Sequence, residues 1–363
     1  MDPTFLAIAS IVALVFLLLA GLHVAVALGF VGVVGFAMLT DWPAGLGLLR
    51  TTPYKVVANF TFFAIPVFIL MGQFANYGGL SADIYTVVHK WLGRVRGGLA
   101  MATTASCATF AAACGSSVAT AATFTSVALP EMLKYGYDKR LAAGAIAASG
   151  TLGALIPPSG LMIIYGIITE QSIGKLLIAG FVPGVISALI YMGMISCWAK
   201  LRPEIAPIIE ERPSWGEKFG SLYKIWGIAV LSGIVMGTIY TGAATPTEAG
   251  AFGAFGAFLI MLFKGSFSRR NFQDTVLDTA SSTTMLFTII IGAYIFSRFL
   301  AITNVGPELA DYLVSSGFSP YLVLAGFLLM YVFLGMFMDP AAMMAITLPI
   351  VFPIIVEMGF SGI

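Results

Sequence analysis

The sequence predicts an all-α integral membrane protein with inverted-topology repeats, re-entrant helical hairpins and broken helices. Three observations carry this class. The chain is 59% hydrophobic and only 10% charged, with a mean hydropathy of +0.97, whereas a soluble domain carries roughly 25% charged residues. Its apolar stretches reach the ~20 residues that a spanning helix needs, and the alternating segments of a membrane β-barrel are missing. Glycine and proline interrupt several of these stretches, and backbone freed inside a bilayer must be satisfied by protein or by a wet cavity. A net charge of +1 gives no nucleic-acid signature.

Apolar length places single spans at about 4–20, 22–39, 54–78, 141–168, 176–199, 225–240, 247–263 and 280–302. The first span has no basic flank before it (Met1-Asp2-Pro3-Thr4), so it reads as an uncleaved helix rather than a signal peptide. Two further regions, about 97–130 and 320–353, are apolar with a break in the middle. The breaks are Cys114-Gly115-Ser116-Ser117 and Met338-Asp339-Pro340. Basic residues flank the first region on both sides: His89, Lys90, Arg94 and Arg96 before it, Lys134, Lys139 and Arg140 after it. Basic loops face the cytoplasm, so both flanks lie on one side and the region is expected to be a hairpin entering from within, or else two very short spans. The connecting segment 201–224 (Arg202, Arg212, Lys218, Lys224) also reads as cytoplasmic. The flanks of the second region carry Glu308, Asp311 and Glu357 but no base, so that hairpin is expected to enter from outside. Arg50 and Lys55 fall on the predicted outer side and run against the scheme.

The two halves resemble each other. Gly21, Gly29, Gly32 and Gly35 recur as Gly242, Gly250, Gly253 and Gly256. Asn76, Gly78 and Asp83 recur as Asn304, Gly306 and Asp311, and Pro130, Gly136 and Tyr137 as Pro353, Gly359 and Phe360. Three matches in order, with oppositely charged flanks, predict an inverted repeat. The expected domains are residues 1–200 (hairpin about 97–130, broken helix about 141–168), the connecting segment 201–224, and residues 225–363 (hairpin about 320–353). The counterpart of Gly150–Pro158 is expected near 373–381, past Ile363, so the second repeat reads as truncated before its broken helix.

Motifs for ATP binding, zinc hydrolysis and nucleophile elbows are missing, and the chain has two histidines, His23 and His89, which leaves little for general-base chemistry. Cys107, Cys114 and Cys197 lie in apolar segments with no metal or disulfide spacing and read as small apolar residues. No transition metal or organic cofactor is expected.

The candidate chemistry therefore sits at the breaks. Gly115, Ser116 and Ser117 offer carbonyls and hydroxyls of the kind a sodium ion takes from unwound helix ends. The other reading is close helix packing by small residues, the preferred one for Thr120 and Thr123. Pro157 and Pro158 remove amide donors and free upstream carbonyls at Gly150, Thr151, Gly153 and Ile156 for a cation. A half-helix starting near Ser159 would turn its positive end to an anionic substrate group. Asp339-Pro340 is an acid at a hairpin tip, open to a functional reading or a capping one. Thr347 offers a hydroxyl beside a second proline kink. Thr245-Pro246-Thr247-Glu248 reads as a helix start, and Arg298, inside an apolar span, needs a partner or a polar cavity.

The run from Gly115-Ser116-Ser117-Val118-Ala119-Thr120 through Leu129-Pro130-Glu131 and Gly136-Tyr137-Asp138 to Gly153-Ala154-Leu155-Ile156-Pro157-Pro158-Ser159, with Thr245-Pro246-Thr247-Glu248 and Met338-Asp339-Pro340, resembles the large membrane (permease) subunit of the tripartite ATP-independent periplasmic (TRAP) transporters. The resemblance covers essentially the whole chain. It implies a multi-pass protein of the bacterial inner membrane, not an enzyme, with an elevator-type, ion-transporter-superfamily-like fold. It implies sodium-coupled import of an organic acid such as a C4-dicarboxylate or sialic acid. It implies two partners: a periplasmic binding protein and a small four-helix membrane subunit, expected here as a separate chain. It implies sodium ligands among Gly115, Ser116, Ser117, Gly150, Thr151, Gly153 and Ile156, with Asp339 and Thr347 from the second half, and substrate contacts at Pro157, Pro158, Ser159 and Pro340. The family's second proline-bearing break has no match here. The competing classes are a passive channel, disfavoured because a repeat within one chain points to alternating access, and an intramembrane hydrolase using Ser116 or Ser117, for which no nearby base exists.

Overall fold

The computed structural model describes residues 2–208, 213–336 and 338–363; Arg212 of the connecting segment lies outside them. Every regular element among the described residues is helical. In chain order these are α1 (Pro3–Leu19), α2 (Val24–Leu39), α3 (Trp42–Val57), α4 (Ala64–Tyr77), α5 (Leu80–Leu92), α6 (Gly98–Cys114), α7 (Ser117–Lys134), α8 (Lys139–Gly150), α9 (Leu152–Leu155), α10 (Gly160–Ile168), α11 (Ile173–Leu201), α12 (Trp215–Leu222), α13 (Trp226–Tyr240), α14 (Pro246–Phe263), α15 (Arg269–Thr303), α16 (Val305–Ser315), α17 (Pro320–Gly335) and α18 (Pro340–Glu357). Among the described residues six helical stretches are long and apolar enough to cross a membrane, and a seventh is the bent pair Lys139–Leu155 and Gly160–Ile168, which turns by 46°.

Most predicted spans appear near their expected limits, but 54–78 does not form one helix. α3 ends at Val57, and a short 3-10 turn over Phe60–Phe63 leads into α4. Asn59 makes the break: its carboxamide oxygen accepts from the Thr61 amide at 2.9 Å, offering the backbone an alternative to the helical ladder. The last expected span also starts earlier, because α15 runs back to Arg269. The two interrupted regions are each a pair of helices, α6 with α7 and α17 with α18.

The chain divides into two compact units. The first comprises Met1–Phe62, Ile164–Gln171 and Ser282–Ile363. Its core joins Leu14, Leu28, Phe296, Phe299 and Ala345. There α2 and α15 meet backbone to backbone: a Cβ on Gly32 would lie 2.8 Å from the Phe296 amide nitrogen, and one on Gly292 2.5 Å from the Ala25 carbonyl oxygen. Small residues permit such approach where helices pack without water.

The second unit comprises Phe63–Ile163 and Ser172–Ser281. At its centre is α6, buried on all sides, which is why its sequence shows no amphipathic stripe. Ala, Thr, Ser and Gly dominate it and let α4, α5, α7, α8 and α11 close around it. Phe110 and Phe124 meet edge to face at 5.8 Å. At its start the Leu99 amide donates to the Tyr137 hydroxyl at 3.2 Å; burial pushes the Tyr137 phenol up, so it stays a neutral acceptor. Lys264, at the end of α14, pairs with Asp83 and donates to the Gly79 carbonyl.

Helix boundaries recur between the halves. α6 and α7 start at residues 98 and 117, α17 and α18 at 320 and 340, offsets of 222 and 223. Left-handed turns recur with them: Gly21 with Gly242, Gly79 with Asn304, and Gly136 with Gly359. These boundaries set Gly79 against Asn304, three residues from the pairing by residue identity.

Candidate functional site

Four helix ends converge in the second unit. α6 ends at Cys114 with Gly115 as its left-handed cap (φ 62°). That residue turns the chain into α7, where the Ser116 hydroxyl accepts from the Ala119 amide at 3.3 Å. Across from this tip, α8 ends at Gly150 and the short α9 that follows it at Leu155, Ile156 adopts an extended conformation, and a cis Pro157–Pro158 bond leads to Ser159 and the start of α10. The Gly160 amide donates to the Gly115 carbonyl at 2.9 Å, so tip and break are held together directly. Two carbonyl ends, of α6 and α9, and two amide ends, of α7 and α10, thus share one locality. The former carry partial negative charge and the latter partial positive charge. Such a cluster can take a cation and an anion side by side.

The glycines make this approach possible. A Cβ on Gly153 would sit 2.7 Å from the Ser116 carbonyl oxygen, and one on Gly150 2.7 Å from the Ala121 Cβ. Of the predicted residues, Gly115, Ser116, Ser117, Gly150, Gly153 and Pro158 are therefore brought together; Thr151 and Ile156 flank them in sequence. The Thr151 hydroxyl donates to the Ala148 carbonyl at 2.6 Å and lies 3.3 Å from the Tyr191 hydroxyl. The Ser159 hydroxyl, fully buried, donates to the Ala154 carbonyl at 2.6 Å, so it ties the break together.

Sequence reasoning undervalued Thr120. Its hydroxyl is fully buried and finds no oxygen or nitrogen partner; it has the Cys114 thiol beside it, a weak partner. It points at Gly153, whose Cβ position lies 3.0 Å away. An unsatisfied buried hydroxyl costs ~1–3 kcal/mol, a cost that a bound cation would remove. Thr123 differs: it donates to the Asn76 carboxamide oxygen at 3.1 Å.

Asp339, Pro340 and Thr347 lie in the first unit. Asp339 caps α18, accepting from the Ala341 amide at 2.9 Å, with Pro340 at the first helical position. Thr347 donates to the Met343 carbonyl and lies 2.8 Å from the Tyr331 hydroxyl. The predicted helix start at Thr245 is a full capping box with Glu248.

The fold and this site define a multi-pass helical membrane protein whose interrupted helices bring backbone termini together inside its core. The family described as "Tripartite ATP-independent periplasmic transporter, DctM component" matches residues 11–363, and the chain belongs to it. The C4-dicarboxylate TRAP transporter large permease protein DctM of Pseudomonas aeruginosa is 36% identical over 323 residues, 88% of this chain and 75% of that protein. The ectoine TRAP transporter large permease protein TeaC of Halomonas elongata is 30% identical over 353 residues (96% and 81%). The sialic acid TRAP transporter large permease protein SiaM of Vibrio cholerae is 28% identical over 348 residues (96% and 80%).

Proposed function

We propose that this chain is the large permease subunit of a sodium-coupled importer of a small organic acid in the bacterial inner membrane. A separate periplasmic binding protein delivers the acid and a small membrane subunit accompanies the permease. The observation that carries the reading is the Gly160–Gly115 hydrogen bond, which brings two carbonyl ends and two amide ends into one locality beside the buried Thr120 hydroxyl. Sodium is held by oxygens of Gly115, Ser116 and Ser117 at the tip between α6 and α7 and of Gly150, Thr151, Gly153 and Ile156 at the end of α8 and α9, with Thr120 added. The amide end at Ser159 and Gly160, beside Pro157 and Pro158, favours the carboxylate. Asp339, Pro340 and Thr347 supply the equivalent part of the second half. Inverted repeats carrying one hairpin each are supported by the recurring helix boundaries and left-handed turns, and they suit an elevator in which hairpins move with their cargo. The names of the relatives point to carboxylate-bearing solutes. Uptake of labelled succinate, N-acetylneuraminate and ectoine into proteoliposomes, with binding protein and small subunit present, tests the reading. One of these acids should accumulate only with an inward sodium gradient, and Ser116→Ala and Thr151→Ala should weaken the sodium dependence. Sodium-independent equilibration would favour a channel instead.

A further inference from the structure

A cavity of about 520 Å³ opens in the first unit between α2, α3 and the end of α15. Its lining includes two cations, Lys55 and Arg298, together with Thr51, Asn59 and Tyr294, on a floor of apolar side chains such as Leu48. No carboxylate lines it among the described residues, and among those residues neither cation has an ion-pair partner. Arg298 sits in an apolar span, where an uncompensated cation is costly. It lies five residues before the end of α15, about 7 Å along the axis at ~1.5 Å per residue, close enough for its head to reach the membrane surface.

The helix opposite it has the composition of that surface. α3 exposes Trp42 (58%) and Tyr54 (77%), together with Leu46, Leu49 and Val57, and buries Gly45, Thr52 and Val56 on its other side. Exposed Trp and Tyr beside aliphatic residues mark the headgroup level of a bilayer, and a cation on such a helix attracts anionic lipid. We propose that this cavity binds the phosphate of an anionic phospholipid, with Lys55 and Arg298 as its counter-charges and the apolar floor against the glycerol and upper acyl chain. Two unpaired cations over a mostly apolar lining match a lipid; a soluble acid would meet more polar walls. Lys55, which opposes the charge rule for an outer segment, becomes a lipid ligand in this assignment.

Native mass spectrometry of the full chain, titrated with phosphatidylglycerol and with phosphatidylcholine of the same acyl chains, tests it. Phosphatidylglycerol should be retained more tightly by one site. Lys55→Gln should lower that retention about fivefold, Lys55→Gln with Arg298→Gln by a further similar factor, and Lys55→Arg should restore it. Lys55 is exposed, so its single variant leaves the packed face of α3 intact. Equal retention of the two lipids, or an unchanged preference in Lys55→Gln, would overturn the assignment. Release of bound phosphatidylglycerol by millimolar succinate would assign the cavity to a soluble acid and overturn it as well.

Discussion

The Gly160 amide donates to the Gly115 carbonyl at 2.9 Å, joining the start of α10 to the tip between α6 and α7. The bond fixes where the interrupted backbone of each element points. Every first-half group that we place around a cation lies within a few residues of one of its two ends or packs on the helices that carry them.

Gly115 is the residue this arrangement tolerates least in change. Its φ of 62° belongs to the left-handed region, and an added Cβ would collide with the Pro158 carbonyl oxygen. The conformation alone costs a side chain ~1–2 kcal/mol. Gly115→Ala is expected to lower the thermal unfolding midpoint in detergent and abolish sodium-dependent uptake. Gly144→Ala, on α8 with open space at its Cβ, should leave both intact. Equal behaviour of the two variants would remove the tip from the site.

The backbone contact between α2 and α15 makes a separate prediction about stability. Gly32 and Gly292 each face main-chain atoms of the opposing helix at 2.5–2.8 Å from their Cβ positions, and backbone does not yield as a flexible side-chain end does. Gly292→Leu should cost ~3 kcal/mol or more through forced separation of the helices. Chemical unfolding in mixed micelles would register it as a lower midpoint. The same change at Gly29, whose Cβ meets nothing within 4 Å, should be nearly silent.

At the start of α14, Thr245 and Glu248 satisfy each other's backbone amides: Thr245 N–H donates to the Glu248 carboxylate at 2.8 Å, and Glu248 N–H donates to the Thr245 hydroxyl at 3.3 Å. Thr245→Ala removes one of these caps and should cost ~1 kcal/mol. Thr245→Ser should recover most of it. Differential scanning fluorimetry of the three proteins checks the order.

These cases also show what the sequence could reveal. Pro157-Pro158, Asp339-Pro340 and Thr245-Pro246 announce themselves because proline and its capping neighbours act locally, and the structure places a helix boundary at each. The break at Asn59 is hidden, because one polar residue barely alters the hydropathy of 54–78 and its effect is a side-chain bond to Thr61. Thr120 is hidden for another reason: on α7 it looks like any small packing residue, and the approach of Gly153 buries its hydroxyl with no oxygen or nitrogen partner. Residue identity pairs Asn76 with Asn304, whereas the left-handed turns set Gly79 against Asn304, three residues on, since glycine and asparagine share that conformation.

Thr120 gives the sharpest test of the cation reading, because packing and ligation predict different responses to sodium. Thr120→Val keeps the shape and deletes the buried hydroxyl. If the hydroxyl only packs, its removal relieves a group answered only by the Cys114 thiol and stability rises, by no more than ~1–3 kcal/mol, with no change in the response to sodium. If it holds the ion, the sodium-free protein is still stabilised, but the extra stability conferred by sodium shrinks, because an ion that binds the folded state stabilises it in proportion to its affinity. The expected outcome is a higher unfolding midpoint in choline buffer, a smaller rise on adding sodium, and a sodium half-saturation for uptake raised about tenfold, the equivalent of losing ~1.4 kcal/mol of binding. An unchanged sodium response would leave Thr120 as a packing residue and confine the ion to backbone carbonyls.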